Sequence, residues 1–322
     1  MNGSAPPAHE RREGQVYSSD SLAARYASFV KLPHTLFALP FAGVGAVLAS
    51  YRHADRVTAW TLLLTLVAFT AARFAAMGFN RIVDRRVDAL NPRTRARELP
   101  AGRLSLIQAR AAVLGASIIF MVSAWLLNPL CGMLAPIALA WVFFYSYTKR
   151  FTSFSHAVLG LALGIAPAGA FVAIAGSWPD PWWALPLLSI AVMFWVAGFD
   201  IIYALQDEAF DRAQSLFSVP ARLGTRRALV AARTLHAASV GAFLTLALLR
   251  AFPLGSAYFT GVAVMSALMI YEHAVVRSAG EGGLDLTRID RAFFRANVAV
   301  STSLLLFSLI DRLFFGAARA GI

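Results

Sequence analysis

Charge is scarce in this chain, and negative charge scarcest. Of 322 residues only 17 are acidic, against 29 Lys and Arg, and all charged types together make up 14%, where soluble domains carry about a quarter. With 58% hydrophobic residues and a mean hydropathy of +0.63, the chain cannot hide its apolar surface in one aqueous core. A bilayer is the expected solvent, with no room for a large soluble domain beside it. The single cysteine, Cys131, excludes an internal disulfide and leaves the redox compartment uninformative. The first 20 residues lack the apolar stretch of a signal peptide. Residues 1–25 are expected as a disordered tail, 26–316 as one transmembrane domain, and 317–322 as a short C-terminal tail.

Long apolar runs are abundant. Windows of about 20 residues, the length that spans a bilayer, number nine: Phe29–Tyr51, Val57–Asn80, Leu106–Leu127, Leu130–Tyr147, Phe154–Gly176, Trp182–Leu205, Ala228–Leu249, Leu254–Tyr271 and Phe293–Leu313. Pro129 marks a tight turn before the short fourth window. Pro33, Pro40, Pro136, Pro167 and Pro186 fall inside windows, which membrane helices tolerate when neighbours satisfy the freed carbonyls. The fold class that follows is an all-α polytopic membrane protein.

Nine spans place the N-terminus and the loops after the second, fourth, sixth and eighth on one side, which then holds 20 of the 29 basic residues. The opposite side holds five (Arg52, Arg56, Arg250, Arg312 and Arg319), and Lys31, Arg73, Arg110 and Arg233 lie within spans. The positive-inside rule makes the rich side cytoplasmic, so the net charge of +12 reads as topology rather than as a nucleic-acid surface. The expected setting is a cell (inner) membrane, with the N-terminus and the site on the cytoplasmic face.

The few acids cluster. "GFNRIVDRRVDALNPRTRARELPAGR", residues 78–103, carries ten charges directly after an apolar run, and "GFDIIYALQDEAFDRAQSLFSVPARLG", residues 198–224, echoes it. The echo is consistent with two four-helix halves plus one helix. Asn80, Asp84 and Asp88 are spaced i, i+4, i+8 and drift only about 80° around a helix; Asp200, Asp207 and Asp211 fall within about 40° if they share one helix. Like charges one turn apart repel, and acids at a helix C-terminus oppose its dipole. An ionised Asp200 inside a span costs a further ~3 kcal/mol.

Hard divalent cations compensate such carboxylates. Mg²⁺ takes one or two of them, with substrate phosphates and water completing the octahedron. Arg97, Arg103, Lys149 and Arg150 then suit direct binding of a multiply charged phosphate, and a site at the membrane boundary suits a diphosphate with a lipid tail. Isolated acids at helix ends are ordinarily solvated, and juxtamembrane arginines ordinarily fix topology. The pairing of two one-faced triads on one side is what those readings leave unexplained. His34, His156 and His236 read as packed or hydrogen-bonded singles, and Glu272 with His273 as a solvated helix end.

These residues resemble the UbiA superfamily of intramembrane prenyltransferases, and most of all the bacterial 4-hydroxybenzoate polyprenyltransferase group with its look-alikes in the futalosine route to menaquinone. "NRIVDRRVD" is similar to the family's first motif, Asn-x-x-x-Asp-x-x-x-Asp. "DIIYALQDEAFD" is similar to the second, and "YSYTK", Tyr145 to Lys149, to its Tyr-x-x-x-Lys element. "NPRTRARELPAGRLS" and "KLPHTLFALPFA" extend the likeness over nearly all the chain after residue 25. One departure stands at Arg81, where many members carry an acid.

The resemblance implies about nine helices around a central cavity open laterally to lipid. It implies Asn80, Asp84, Asp88, Asp207 and Asp211 as metal and diphosphate residues, Asp200 as the first acid of the second motif, Lys149 steadying the diphosphate, and Lys31 as a basic residue early in the first helix. Two Mg²⁺ ions and the basic residues would carry off the diphosphate as a leaving group, and a water-excluding chamber would shelter the allylic cation. Phe79, Tyr145, Tyr147 and Tyr203 lie close in sequence to the motifs and could face that cation. The expected partners are a polyprenyl diphosphate, an aromatic acid and the bilayer. The expected reaction is Mg²⁺-dependent prenylation of 4-hydroxybenzoate in ubiquinone biosynthesis, the alternative acceptor being 1,4-dihydroxy-6-naphthoate in menaquinone biosynthesis.

Two other classes fit less well. CDP-alcohol phosphotransferases begin their signature Asp-Gly-x-x-Ala-Arg, a string absent here. A transporter with an ion-coupling aspartate would place charges mid-bilayer in several helices, and Asp200 and Arg73 are among very few.

Overall fold

The computed structural model describes residues 21–32, 35–277 and 286–315; most of both expected tails and His34 lie outside them. Eleven α-helices follow in order among the described residues: α1 Leu22–Phe29, α2 Thr35–Ser50, α3 Ala59–Leu90, α4 Leu106–Leu127, α5 Pro129–Thr148, α6 Ser155–Ala175, α7 Ala184–Ala204, α8 Glu208–Ala213, α9 Val219–Leu248, α10 Ser256–Arg277 and α11 Leu286–Ile310. Eight segments are long and apolar enough to cross a membrane, one of them running from α7 through α8, and α2 is a shorter ninth apolar helix. The chain is a multi-pass, all-helical membrane protein.

The expected first span, Phe29–Tyr51, begins on the last residue of α1 and is otherwise the shorter α2. α1 begins inside the expected tail, capped by the Ser21 hydroxyl, and ends at Val30; Lys31 then takes φ +47°, which an α-helix cannot continue. α3 behaves the opposite way. Its 32 residues extend about 48 Å, beyond a hydrocarbon core of about 30 Å, so the final turns carrying Asn80 to Asp88 project from the apolar layer.

Helix ends are set locally. Thr58 and Ser105 form capping boxes at α3 and α4, and Asn128 caps α5 ahead of Pro129. Between spans, small residues set the spacing. Gly160 and Gly164 lie so close to the α7 backbone that a Cβ would come within 2.4 Å of the Met193 and Ser189 carbonyls, the close approach that small residues permit in membranes. α2 packs on α6 and α11, α7 on α6 and α9, and α10 on α11, while α3, α4 and α5 pack on one another. The largest buried cluster, with Trp195, Phe41 and Phe243, lies where α2, α7 and α9 meet.

Candidate active site

Beside that core a cavity of about 690 Å³ opens among α2 to α7 and the segment after α7. Its deep walls are apolar, from Phe37, Phe69, Phe120, Leu134 and Leu163, and its polar groups gather at one end. Along α3 the lining recurs every three or four residues, at Thr65, Phe69, Ala72, Ala76, Asn80, Asp84 and Asp88, so the first acid triad shares one helix face as its spacing predicts.

The second triad is built differently. α7 stops at Ala204, residues Leu205–Asp207 form a 3₁₀ turn, and α8 carries Asp211, so the single continuous helix expected for Asp200, Asp207 and Asp211 is interrupted. Tertiary contacts coincide with the break. The Arg93 guanidinium grips both oxygens of Asp207, Nε donating to Oδ1 at 2.9 Å and Nη2 to Oδ2, and Asn91 Nδ2 donates to Oδ1 at 3.1 Å. All three acids still line the cavity.

The remaining charges interlock. Asp84 accepts from Asn80 Nδ2 at 2.8 Å and from Arg150 Nη2 at 3.2 Å, and Asp88 Oδ1 accepts from Arg97 Nη1 at 2.7 Å. Lys31 Nζ lies 5.9 Å from the centre of the Tyr203 ring, and the Arg93 guanidinium 5.4 Å from it, both in cation–π range. Asp200 Oδ2 meets His156 Nδ1 at 2.7 Å, while the Val219 amide donates to His156 Nε2 at 3.2 Å. That amide leaves Nδ1 as the protonated nitrogen of a neutral ring, so the imidazole donates to Asp200. Here is the compensation that a carboxylate inside a span requires.

Lys149 lies just past α5, at the polar end. Burial alone would lower its ammonium, but the fields of Asp211, Asp200, Asp207 and Asp84 together hold it above the ordinary lysine value. One lysine therefore senses acids from both triads.

Two carboxylate oxygens remain unused. Asp88 Oδ2 and Asp211 Oδ2, one from each triad, are buried without a hydrogen-bond partner. Among the described residues no three His, Cys, Asp or Glu side chains converge as a ready-made metal cage. That donor set fits an ion completing its shell with phosphate oxygens, the habit of Mg²⁺.

A profile of the UbiA prenyltransferase family matches residues 38–298. The chain belongs to the UbiA prenyltransferase family. A relative from Aromatoleum aromaticum, named 4-hydroxybenzoate octaprenyltransferase, is 30% identical over 246 residues, covering 76% of this chain and 80% of that protein. One of the same name from Methylobacillus flagellatus is 31% identical over 232 residues, covering 68% and 73%. Among solved structures, the apo UbiA homolog from Aeropyrum pernix K1 is similar at a TM-score of 0.76 and 36% identity, over 87% of this chain and 98% of that one. A UbiA homolog from Archaeoglobus fulgidus, solved bound to GPP and Mg²⁺, shares the fold at a TM-score of 0.63 and 19% identity, over 87% and 99%.

Of the site residues expected for a UbiA-family chain, Lys31, Asn80, Asp84, Asp88, Arg97, Tyr145, Lys149, Arg150, Asp200, Tyr203, Asp207 and Asp211 all line the cavity. Arg103 does not. Its guanidinium turns to the Ala96 carbonyl and, at 3.7 Å, to Glu98, which also accepts from Ser28, and its own carbonyl accepts from Arg25; it ties the loop to α1. Phe79 and Tyr147 also miss the cavity and face a second pocket, because one or two residues along a helix rotate a side chain by about 100° or 200°. Glu272 is buried rather than solvated, receiving Asn297 Nδ2 at 3.4 Å, and His273 Nε2 lies 3.0 Å from His236 Nδ1.

Sequence reasoning passed over Arg93 and Asn91, which stand in the "NPRTR" string, and the pairing of His156 with Asp200. Arg81, the departure from the family pattern, is buried with Nε on the Phe29 carbonyl at 3.4 Å, where it anchors α1.

Proposed function

We propose that this prenyltransferase moves a polyprenyl group from its diphosphate to an aromatic carboxylic acid, 4-hydroxybenzoate, with Mg²⁺ bound alongside the diphosphate. The observation that carries the reading is the joining of two acid triads and Lys149 at the polar end of one apolar cavity. The names of the relatives support the acceptor.

On this reading Asp84, Asp88, Asp207 and Asp211, with Asn80, hold two Mg²⁺ ions, the unpartnered oxygens of Asp88 and Asp211 being the readiest donors. When bound, the metal supplies Lewis-acid neutralisation of charge on the departing diphosphate. Lys149 and Lys31 place ammonium groups against the same charge, and Arg97 supplies a fork of donors for phosphate oxygens. The apolar walls take the prenyl chain and keep water from the allylic carbon once its bond to oxygen lengthens. Tyr145 and Tyr203 present rings to that carbon. Arg150, at the rim beside Asp84, receives the acceptor's carboxylate. The polar end faces the cytoplasm on this reading, which the distribution of arginine and lysine supports.

The test incubates purified protein with a long-chain prenyl diphosphate, Mg²⁺ and, separately, 4-hydroxybenzoate and 1,4-dihydroxy-6-naphthoate, with EDTA controls. The expected product is prenylated 4-hydroxybenzoate, lost with EDTA and lost in Asp84→Ala and Asp207→Ala. Turnover of the naphthoate alone would overturn the acceptor, and activity surviving in both variants would overturn the site.

A further inference from the structure

A second pocket, of about 480 Å³, lies between α3, α4 and α5 on the outside of the bundle. Its floor is Phe79, Ile82, Val113, Leu114 and Phe143, and its polar rim is three arginines, Arg85, Arg110 and Arg150; no acid lines it. Arg110 stands four residues into α4, about 6 Å along the axis, on the face that also presents Ile107 and Leu114, which are 78% and 63% exposed. That face meets lipid, so this guanidinium sits where a span leaves the headgroup layer. Arg85 spends one donor, on the Ile82 carbonyl at 2.8 Å. Arg150 lies over the Tyr147 ring at 5.5 Å and reaches Asp84. Among the described residues Arg110 has no hydrogen-bond or ion-pair partner.

Arginine stays charged at any physiological pH, and an unpaired guanidinium at the edge of hydrocarbon is costly. A phosphodiester at that level would accept from Arg110 and Arg85 together, while the apolar groove below takes an acyl chain. Basic pockets between helices at the headgroup level are suited to anionic lipids.

We propose that this pocket is a binding site for one anionic glycerophospholipid, its phosphate held by Arg85 and Arg110 and one acyl chain laid against Val113, Leu114 and Phe143. The two pockets share Arg150 at their rims, but this site rests on Arg85 and Arg110 and stands whether or not the acceptor assignment does.

Native mass spectrometry of the full-length protein, delipidated and then given equal amounts of phosphatidylglycerol and phosphatidylcholine, tests it. Both lipids carry the phosphodiester, but the choline ammonium of phosphatidylcholine meets a rim of three arginines and no acid, so one phosphatidylglycerol is expected to be retained in preference, by about tenfold. Arg110→Gln, and Arg85→Gln with it, should erase the preference while leaving the binding of Mg²⁺ with inorganic pyrophosphate unchanged, which shows that the variants are folded and separates this site from the catalytic one. Equal retention of the two lipids, or a preference that survives in the double variant, overturns the proposal. So does displacement of the lipid by inorganic phosphate, which would make it a simple anion site, or by 4-hydroxybenzoate, which would give the pocket to the acceptor.

Discussion

Arg93 and Asp207 join the two acid motifs directly. The guanidinium of a residue three past the end of α3 closes as a fork on the carboxylate that stands in the 3₁₀ turn between α7 and α8, and its Nη1 donates onward to Tyr203 Oη at 3.1 Å. Asp207 is 8% exposed, so truncating Arg93 leaves a nearly buried carboxylate without its ion-pair partner and with Asn91 as its remaining donor, where breaking a buried pair costs up to about 3–5 kcal/mol. Arg93→Ala should therefore lower prenyl transfer by about 10²-fold or more. Arg93→Lys should recover little of it, because an ammonium cannot span both oxygens. Steady-state rates on the three proteins check this; a lysine variant as active as the wild type would reduce the fork to a point charge.

What the sequence made legible follows from period. Asn80, Asp84 and Asp88 keep a four-residue spacing on an unbroken helix, so their common face could be read before any coordinates, and apolar run length located the spans. Phase was harder. Phe79 and Tyr147 are neighbours of site residues in sequence and point elsewhere. The break after Ala204 has no local signal, since "YALQDEAF" holds neither proline nor glycine; it coincides with the grip of Arg93 and Asn91 on Asp207, a contact more than a hundred residues away along the chain. Glu272 failed for a related reason, as its partner Asn297 lies on another helix, whereas Arg103 turns back onto its own loop, to Ala96 and Glu98.

Metal and diphosphate should bind synergistically. Arg93 holds Asp207, Arg97 holds Asp88 and Arg150 holds Asp84, so a cation arriving alone competes with three guanidiniums for the same oxygens. Arriving with a diphosphate, it offers those arginines an anion in exchange. Calorimetric titration with Mn²⁺ should show an affinity at least about tenfold higher in the presence of inorganic pyrophosphate, with the reciprocal gain for pyrophosphate that linkage demands. Arg97→Gln should tighten Mn²⁺ alone while weakening the joint complex. Equal Mn²⁺ affinity with and without pyrophosphate would contradict the exchange.

Lys149 sets a pH expectation. A lysine whose folded-state value is raised keeps its charge below that value and loses it only as pH climbs through it. Its contribution is therefore complete at neutral pH and persists above the ordinary lysine range of about 10.4. The rate of prenyl transfer should show no limb from this residue between pH 7 and 9, and Lys149→Arg should leave the profile's shape unchanged there. Lys149→Met removes the ammonium on which four aspartates act and should cut kcat by about 10²-fold. A limb near pH 8 that vanishes in Lys149→Arg would show the group titrating where it should not.

His156 tests whether Asp200 acts through its orientation. The imidazole is almost wholly buried; its Nε2 is fixed by the Val219 amide, and its Nδ1 meets Asp200 at the wall of the cavity. The histidine touches no reacting atom, so it is a positioning residue, and its loss should appear in kcat more than in KM for the diphosphate. His156→Ala should lower kcat by about 10-fold, the value of one charge-assisted hydrogen bond. His156→Gln, which offers an amide N–H to Asp200 and a carbonyl to the Val219 amide, should regain part of that loss. A merely structural role predicts instead that both variants melt earlier and lose kcat in step with folded fraction. Rates normalised to folded protein, read beside the melting midpoint, separate the two cases, and an Asp200→Asn variant with the same kcat as His156→Ala would place both residues in one hydrogen-bonded unit.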